Sequence, residues 1–206
     1  MKTKNIFLTL SLLMSSVAMA QAPVFTTLSS SGKDVFAGVK LQKQGMEPET
    51  YMLQVSADKL TSSKISLPEE ILHREVIGIL PAEGSQLLVM SQRTVEQGDK
   101  PLFHLYDPAK KAWKKIAEGD CTSFAKMRIE SSAVTITCVE TTEKGDEVEV
   151  PKKVVLAGVK LIASGDVTLP MMKVEKENLK AELLGDVFEW SQLKVGMNKK
   201  EKIFKP

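Results

Sequence analysis

Glycines recur at Gly45, Gly98, Gly145 and Gly196, at intervals of 53, 47 and 51 residues, each following a stretch that reads as a β-strand. A recurrence of this kind marks one supersecondary unit copied along a chain, and copied units bury their apolar faces on one another. This constrains the fold more than any single residue does. The flanking residues support copying. Asp34-Val35-Phe36 precedes Gly45-Met46 by 11 residues, and Asp186-Val187-Phe188 precedes Gly196-Met197 by 10. Leu87 and Val134 precede Gly98-Asp99 and Gly145-Asp146, each by 11.

Strand signals then divide residues 21–206, a single all-β repeat domain, into four antiparallel repeats of about 50 residues at 22–68, 74–117, 121–170 and 173–206. The first holds Val24–Leu28, Asp34–Leu41, Thr50–Ala57 and Lys64–Leu67. The second holds Glu75–Leu80, Gln86–Arg93, Leu102–Tyr106 and Ala112–Ile116. The third holds Thr122–Ile129, Ala133–Glu140, a segment within Glu147–Leu156, and Val159–Leu169. The fourth holds Lys173–Leu184, Asp186–Leu193 and Lys202–Phe204, and the chain stops before an outermost strand is complete. Pro68–His73 suits a short helical connector. Lys173–Leu184 is rich in helix formers, yet its place in the repeat demands a strand; the two readings stay open.

Residues 1–20 read as a signal peptide. Lys2 and Lys4 precede the apolar core Ile6–Met14, and Ala18-Met19-Ala20 gives an A-x-A cleavage site between Ala20 and Gln21. The apolar core is too short to span a bilayer, which takes about 20 apolar residues. No later segment reads as transmembrane. The expected location is the bacterial periplasm or the exterior. Cleavage leaves 26 basic and 26 acidic side chains. Zero net charge argues against a nucleic-acid partner, which needs a basic surface to displace phosphate counterions. One local excess stands out: Lys194, Lys199, Lys200, Lys202 and Lys205 meet only Glu201 in the C-terminal tail. It reads as a solvated, fraying end or as contact with an acidic partner.

Cys121 and Cys138 are the two cysteines. An even count in an exported chain favours a disulfide, and the C-x-x-C spacing of redox pairs is absent. The pair would sit on one face of a hairpin turning at Glu130-Ser131-Ser132. A register setting Cys121 opposite Cys138 also sets Ala125 opposite Val134 and Met127 opposite Ser132.

One hairpin resembles a known family. Leu102-Phe103-His104-Leu105-Tyr106-Asp107-Pro108 leads to Trp113, seven residues after the tyrosine. This is similar to the outer hairpin of a kelch-type β-propeller blade, although the glycine pair of those blades is missing. The resemblance covers about a dozen residues and implies architecture only: a small or incomplete β-propeller-like fold, completed or not by a second copy. The competing architecture is a β-sandwich or barrel of meandering hairpins.

Chemistry is sparse. His73 and His104 fall in different elements without metal-ligand spacing. His104 alternates with Leu102 and Tyr106, as a packed strand histidine does. No nucleophile elbow, P-loop or dinucleotide fingerprint occurs. Gly145-Asp146-Glu147 with Glu149 lacks the ligand series of a calcium loop. Met171-Met172 lacks the repetition of a copper(I) site. The chain therefore offers no catalytic, cofactor or metal residue to name. The expectation is an exported, non-catalytic binding or scaffold protein of the cell envelope. Its partner would be a protein or an envelope polymer, with self-association at free strand edges as a further option. The alternatives are a periplasmic hydrolase acting on an envelope polymer, which would need two carboxylates or a His–acid pair converging in a pocket, and a metal or small-ligand carrier.

Overall fold

A computed structural model describes residues 22–42, 46–93, 100–121, 124–162, 165–167, 173–176, 178–185 and 189–206. The expected signal peptide and its cleavage site at Ala20 and Gln21 lie outside the described residues, as do Gly45, Gly98, Asp186-Val187-Phe188 and Met171-Met172.

The protein is all-β. Its strands in chain order are β1 (Val24–Ser31), β2 (Asp34–Leu41), β3 (Glu49–Ser56), β4 (Thr61–Ile65), β5 (Glu75–Ala82), β6 (Gln86–Gln92), β7 (Leu102–Asp107) and β8 (Ala112–Glu118). They continue with β9 (Phe124–Ile129), β10 (Ala133–Thr141), β11 (Glu147–Val155), β12 (Gly165–Val167), β13 (Lys173–Lys176), β14 (Leu179–Gly185), β15 (Trp190–Met197) and β16 (Lys200–Phe204). A short 3-10 turn at Glu69–Ile71 links β4 to β5.

Each run of four strands forms a four-stranded antiparallel array. β1 to β4 and β5 to β8 are simple meanders. β13 to β16 form another, joined to the first through the pair Phe25–Trp190. The third differs: β12 pairs β9 on the edge opposite β11, so its order is β11-β10-β9-β12. The chain reaches that edge through 156–162. There Leu161 N donates to Ser131 O and Ile162 N donates to Pro81 O.

Apolar clusters stack the arrays face to face. Phe25, Val35, Ala37, Val39 and Val55 of the first meet Leu179, Ala181, Leu183, Leu193 and Val195 of the fourth. Phe36, Met52 and Ile65 meet Val76, Ile79, Leu87, Val89, Leu102 and Tyr106 of the second. Leu88, Met90 and Phe103 on the other face of the second meet Met127, Ile129, Val134 and Ile136 of the third. Among the described residues no such cluster joins the third array to the fourth. The order through the stack is fourth, first, second, third. Strands in the middle are buried on both faces, as in Leu87-Leu88-Val89-Met90. Strands at the ends alternate buried and exposed, as in Leu179-Lys180-Ala181-Glu182-Leu183. A repeat array is held soluble by polar outer faces of this kind on its terminal units.

The first and second arrays meet closely at Gly38. A methyl group there would lie 2.8 Å from Thr26 Oγ1 and 3.0 Å from the Val76 side chain. The Thr26 hydroxyl donates to Val76 O across the same contact, at 2.7 Å.

Five expectations need correction. Cys121 and Cys138 do form a disulfide, but the hairpin register is Val134–Ile129 and Ile136–Met127, four residues away from the one expected. An even slip keeps every side chain on its face. Cys121 therefore still reaches Cys138 from just before β9, helped by the register irregularity at Thr137/Cys138. Among its described residues Val159–Leu169 is not one strand: Gly165–Val167 pairs as a strand, after an isolated bridge between Leu161 and Ala82. Lys173–Leu184 is a β-hairpin (β13 and β14), since burial of Leu179, Ala181 and Leu183 on one face outweighs helix propensity. The C-terminal tail does not fray; β16 completes the fourth array. The two described marker glycines do not share one position. Gly145 takes a φ of 87° in the turn between β10 and β11, whereas Gly196 lies inside β15.

Candidate binding groove

The β15–β16 hairpin turns through Asn198 and Lys199, whose φ values are 51° and 66°. Two central residues with positive φ match the right-handed twist of the flanking strands, and asparagine tolerates that conformation best. Asn178 holds a φ of 61° at the neighbouring β13–β14 turn. Both tips border a groove of about 470 Å³.

Its floor follows from the register. Lys180 of β14 pairs with Gly196 of β15, which pairs with Glu201 of β16. Paired residues share a face, and the Glu201 side chain leans over the bare middle position, where Gly196 is buried. A methyl group on Gly196 would fall 2.8 Å from Glu201 Cγ. Met197 and Lys200 also border it, from paired positions whose side chains alternate to the opposite face of the sheet. A second hollow of about 130 Å³ continues past Met197 and Lys200 to Asp58 and Leu60 of the first array.

The groove is basic. Lys180, Lys199 and Lys200 are exposed, and none has an ion-pair partner among the described residues. Glu201 is engaged by Lys194 at 2.9 Å, and that contact raises the Lys194 ammonium above its ordinary value. Lys202 donates to Leu60 O at 3.1 Å. Two lysines of the tail's excess, Lys199 and Lys200, thus border one groove with Lys180, which precedes them by 19 and 20 residues.

A second polar constellation lies at the interface of the first and second arrays. His104 on β7 is 1 % exposed, and its Nε2 donates to Glu70 Oε1 at 2.7 Å. Lys115 Nζ lies 3.6 Å from Glu70 Oε2 and 3.2 Å from Glu118 Oε2. The His104 hydrogen bond, reinforced by Lys115, holds the Glu70 carboxyl below its usual range. His104 Nδ1 is buried without a hydrogen-bond partner among the described residues. The pair clasps the 3-10 turn onto β7. It lines neither described hollow. Sequence spacing could not reveal it, since 34 residues separate its members. His73 stands apart, 3.4 Å from Pro48 O.

Tyr106 and Trp113 are cross-strand partners with ring centroids 4.5 Å apart. Asp107 Oδ1 accepts from the Ala109 and Lys110 amides to close the turn. Trp113 Nε1 donates to Ser66 O and ties this outer hairpin to the first array. Among the described residues no group of three histidine, cysteine or acidic side chains converges as metal ligands do, and no helix is long and apolar enough to cross a membrane.

No protein-family profile matches the chain, and no curated protein matches it. Among solved structures, the chain is similar to the acylaminoacyl peptidase of Pyrococcus horikoshii, with a TM-score of 0.45 and 9 % identity over 88 % of this chain and 32 % of that one. It is also similar to the β-propeller domain of the trilobed protease of Pyrococcus furiosus, with a TM-score of 0.43 and 11 % identity over 90 % of this chain and 58 % of that one. The chain therefore spans about a third and somewhat over half of these two structures.

Proposed function

We propose that this protein is an exported, non-catalytic binding module of the bacterial cell envelope, which docks a protein or an envelope polymer through the groove at the β14–β16 tips. The observation that carries this reading is the chemistry of the groove wall. Lys180, Lys199, Lys200, Asn178 and Asn198 line it together with Gly196, Met197 and Glu201. Such a wall recognises and holds; it presents no nucleophile beside a base. Lys180 and Lys200 stand on strands, and Asn178, Asn198 and Lys199 sit at tight hairpin turns. The Cys121–Cys138 disulfide fits an oxidising compartment. The hydrolase reading would draw on the His104–Glu70 pair, but His104 is sealed at a sheet interface where a polymer has no access.

The test is co-sedimentation. The full chain is expressed, and its exported form is purified and mixed with isolated cell-wall sacculi and with outer-membrane fragments. Retention in either pellet above that of a neutral control protein of equal size is expected. Equal distribution of the two proteins refutes docking. Release of soluble polymer fragments refutes the non-catalytic assignment. Self-association is a separate matter; β11, one of several sheet edges, carries Pro151, Lys152 and Lys153, residues that discourage edge pairing. A light-scattering mass of one chain at all concentrations is expected.

A further inference from the structure

We infer that the interface between the first and second arrays is an internal hydration site, with ordered water bound by the imidazole of His104 and the hydroxyls of Ser91, Thr27 and Thr50. This goes beyond the docking reading and does not depend on it.

The argument begins with four buried side-chain atoms that have no hydrogen-bond partner among the described residues: Thr27 Oγ1, Thr50 Oγ1, Ser91 Oγ and His104 Nδ1. Their residues are at most 1 % exposed, so bulk solvent does not reach them. Folded proteins pair buried polar atoms with other protein groups or with internal water, since an unpaired atom gives up its hydration without return.

All four atoms face one interface. Ser91 pairs with Val76 on one side and Leu102 on the other, and both belong to the apolar cluster between the two arrays. His104 pairs with Val89 of the same cluster. Thr50 stands two residues before Met52 on β3 and so shares its face. Thr27 pairs with Gly38, whose bare position points at Val76. Paired residues share a face, so the three hydroxyls and the imidazole lie in one otherwise apolar layer.

The strand geometry shows how threonine enters that layer. The register of β1 is irregular between Phe25 and Thr27. A bulge re-aims side chains, and here Thr26 and Thr27 both border the Gly38 contact. Thr26 is satisfied there by Val76 O. Thr27 Oγ1 is not, although the same contact brings it beside Val76, the register partner of Ser91.

His104 defines what the ligand must do. Its Nε2 donates to Glu70 Oε1, so in the neutral ring Nδ1 presents a lone pair and needs a donor. Ser91 is the diagonal neighbour of His104 across β6 and β7, yet makes no direct hydrogen bond to it. Diagonal neighbours stand about 7–8 Å apart, or somewhat less between Cβ atoms. One water closes such a span, donating to Nδ1 and bonding to Ser91 Oγ. Water on Nδ1 also fixes the ring tautomer that keeps Nε2 turned to Glu70.

Isosteric substitution separates bound water from a dry, unsatisfied hydroxyl. Threonine to valine exchanges a hydroxyl for a methyl group at constant shape. With water bound, Thr27→Val or Thr50→Val removes an anchor and should lower Tm by about 2–4 °C. In a dry interface the same exchange removes an unsatisfied group and leaves Tm unchanged or raised. Thr61→Val, at an exposed position on β4, corrects for the strand preference of valine. Oxygen-17 magnetic relaxation dispersion on the exported form counts long-lived internal waters directly. The wild type should hold them, and Ser91→Ala, which unhooks the water on His104, should hold fewer. A reduced count together with lowered Tm supports the site. Three results would each overturn it: no long-lived water in the wild type, a count that Ser91→Ala, Thr27→Val and Thr50→Val all leave unchanged, or Tm values for the two buried valine variants at or above that of Thr61→Val.

Discussion

Replacing Gly38 by alanine tests whether the face-to-face stacking of separate sheets holds this protein together. Gly38 sits in β2 at the contact between the first and second arrays. Its added methyl would lie 2.8 Å from Thr26 Oγ1, 3.0 Å from Thr27 Cγ2 and 3.0 Å from Val76 Cβ. Real Cβ atoms do not approach that closely, and none of the three neighbours is the free end of a long side chain. Thr26 is fixed by its 2.7 Å bond to Val76 O, and Val76 is fully buried in the core between the arrays. The sheets must therefore separate or Thr26 must surrender its bond. Overpacking of this sort costs about 1–3 kcal/mol, and loss of the buried hydrogen bond about 1–3 kcal/mol more if it breaks. Against this, alanine restricts the unfolded chain and returns about 0.4–1 kcal/mol where the native backbone suits it. The net expectation is a destabilisation of about 1–3 kcal/mol. For a chain of this length that lowers Tm by about 2–4 °C per kcal/mol, so the midpoint should fall by roughly 2–12 °C. Calorimetry on matched samples measures it, with urea midpoints as the second readout. An unchanged or raised Tm would refute the reasoning, because the two sheets would then have slack at this contact.

Three further outcomes are expected. Glu70 has a folded pKa held below its ordinary value by His104 and Lys115, so its contribution to stability is present above the unfolded pKa and is lost as pH falls through the folded one; Glu70→Gln should flatten the acid limb of urea midpoints measured from pH 7 to pH 3, and an unaltered limb would show the clasp carries nothing. The double variant Cys121→Ser, Cys138→Ser opens a loop spanning 17 residues, for a loss of about 3 kcal/mol; thermal melts that coincide with wild type would contradict a structural role. Mass spectrometry of the exported protein should find Gln21 as its first residue, and an intact Met1 would refute the cleavage site read at Ala20.

Sequence patterning was enough for fold class and for most strand positions, because alternation and turn residues act over a few neighbours. Asp34–Leu41 coincides with β2 as expected, and Gln86–Arg93 matches β6 to within one residue. Even the stack order leaves a trace: Leu87-Leu88-Val89-Met90 is apolar without a break because both its faces are covered, while Leu179-Lys180-Ala181-Glu182-Leu183 alternates because one face is wet. The disulfide was legible for a similar reason, since two cysteines admit one pairing. Register was not. A slip of four residues preserves every face, so the pattern could not distinguish Ile129 from Ala125 as the partner of Val134.

The groove and the clasp belong to tertiary structure alone. In the sequence Lys180 is one charge in a helix-like stretch, Gly196 is a repeat marker, and Lys199 and Lys200 are a polar tail. Only the pairing of β14 with β15 and of β15 with β16 brings them to the border of one groove. His104 and Glu70 likewise read as a packed histidine and a connector acid until the first array closes on the second. Local pattern dictates which face of a strand meets water. Which distant strand meets that face depends on how whole sheets share buried area, and no short stretch of sequence carries that sum.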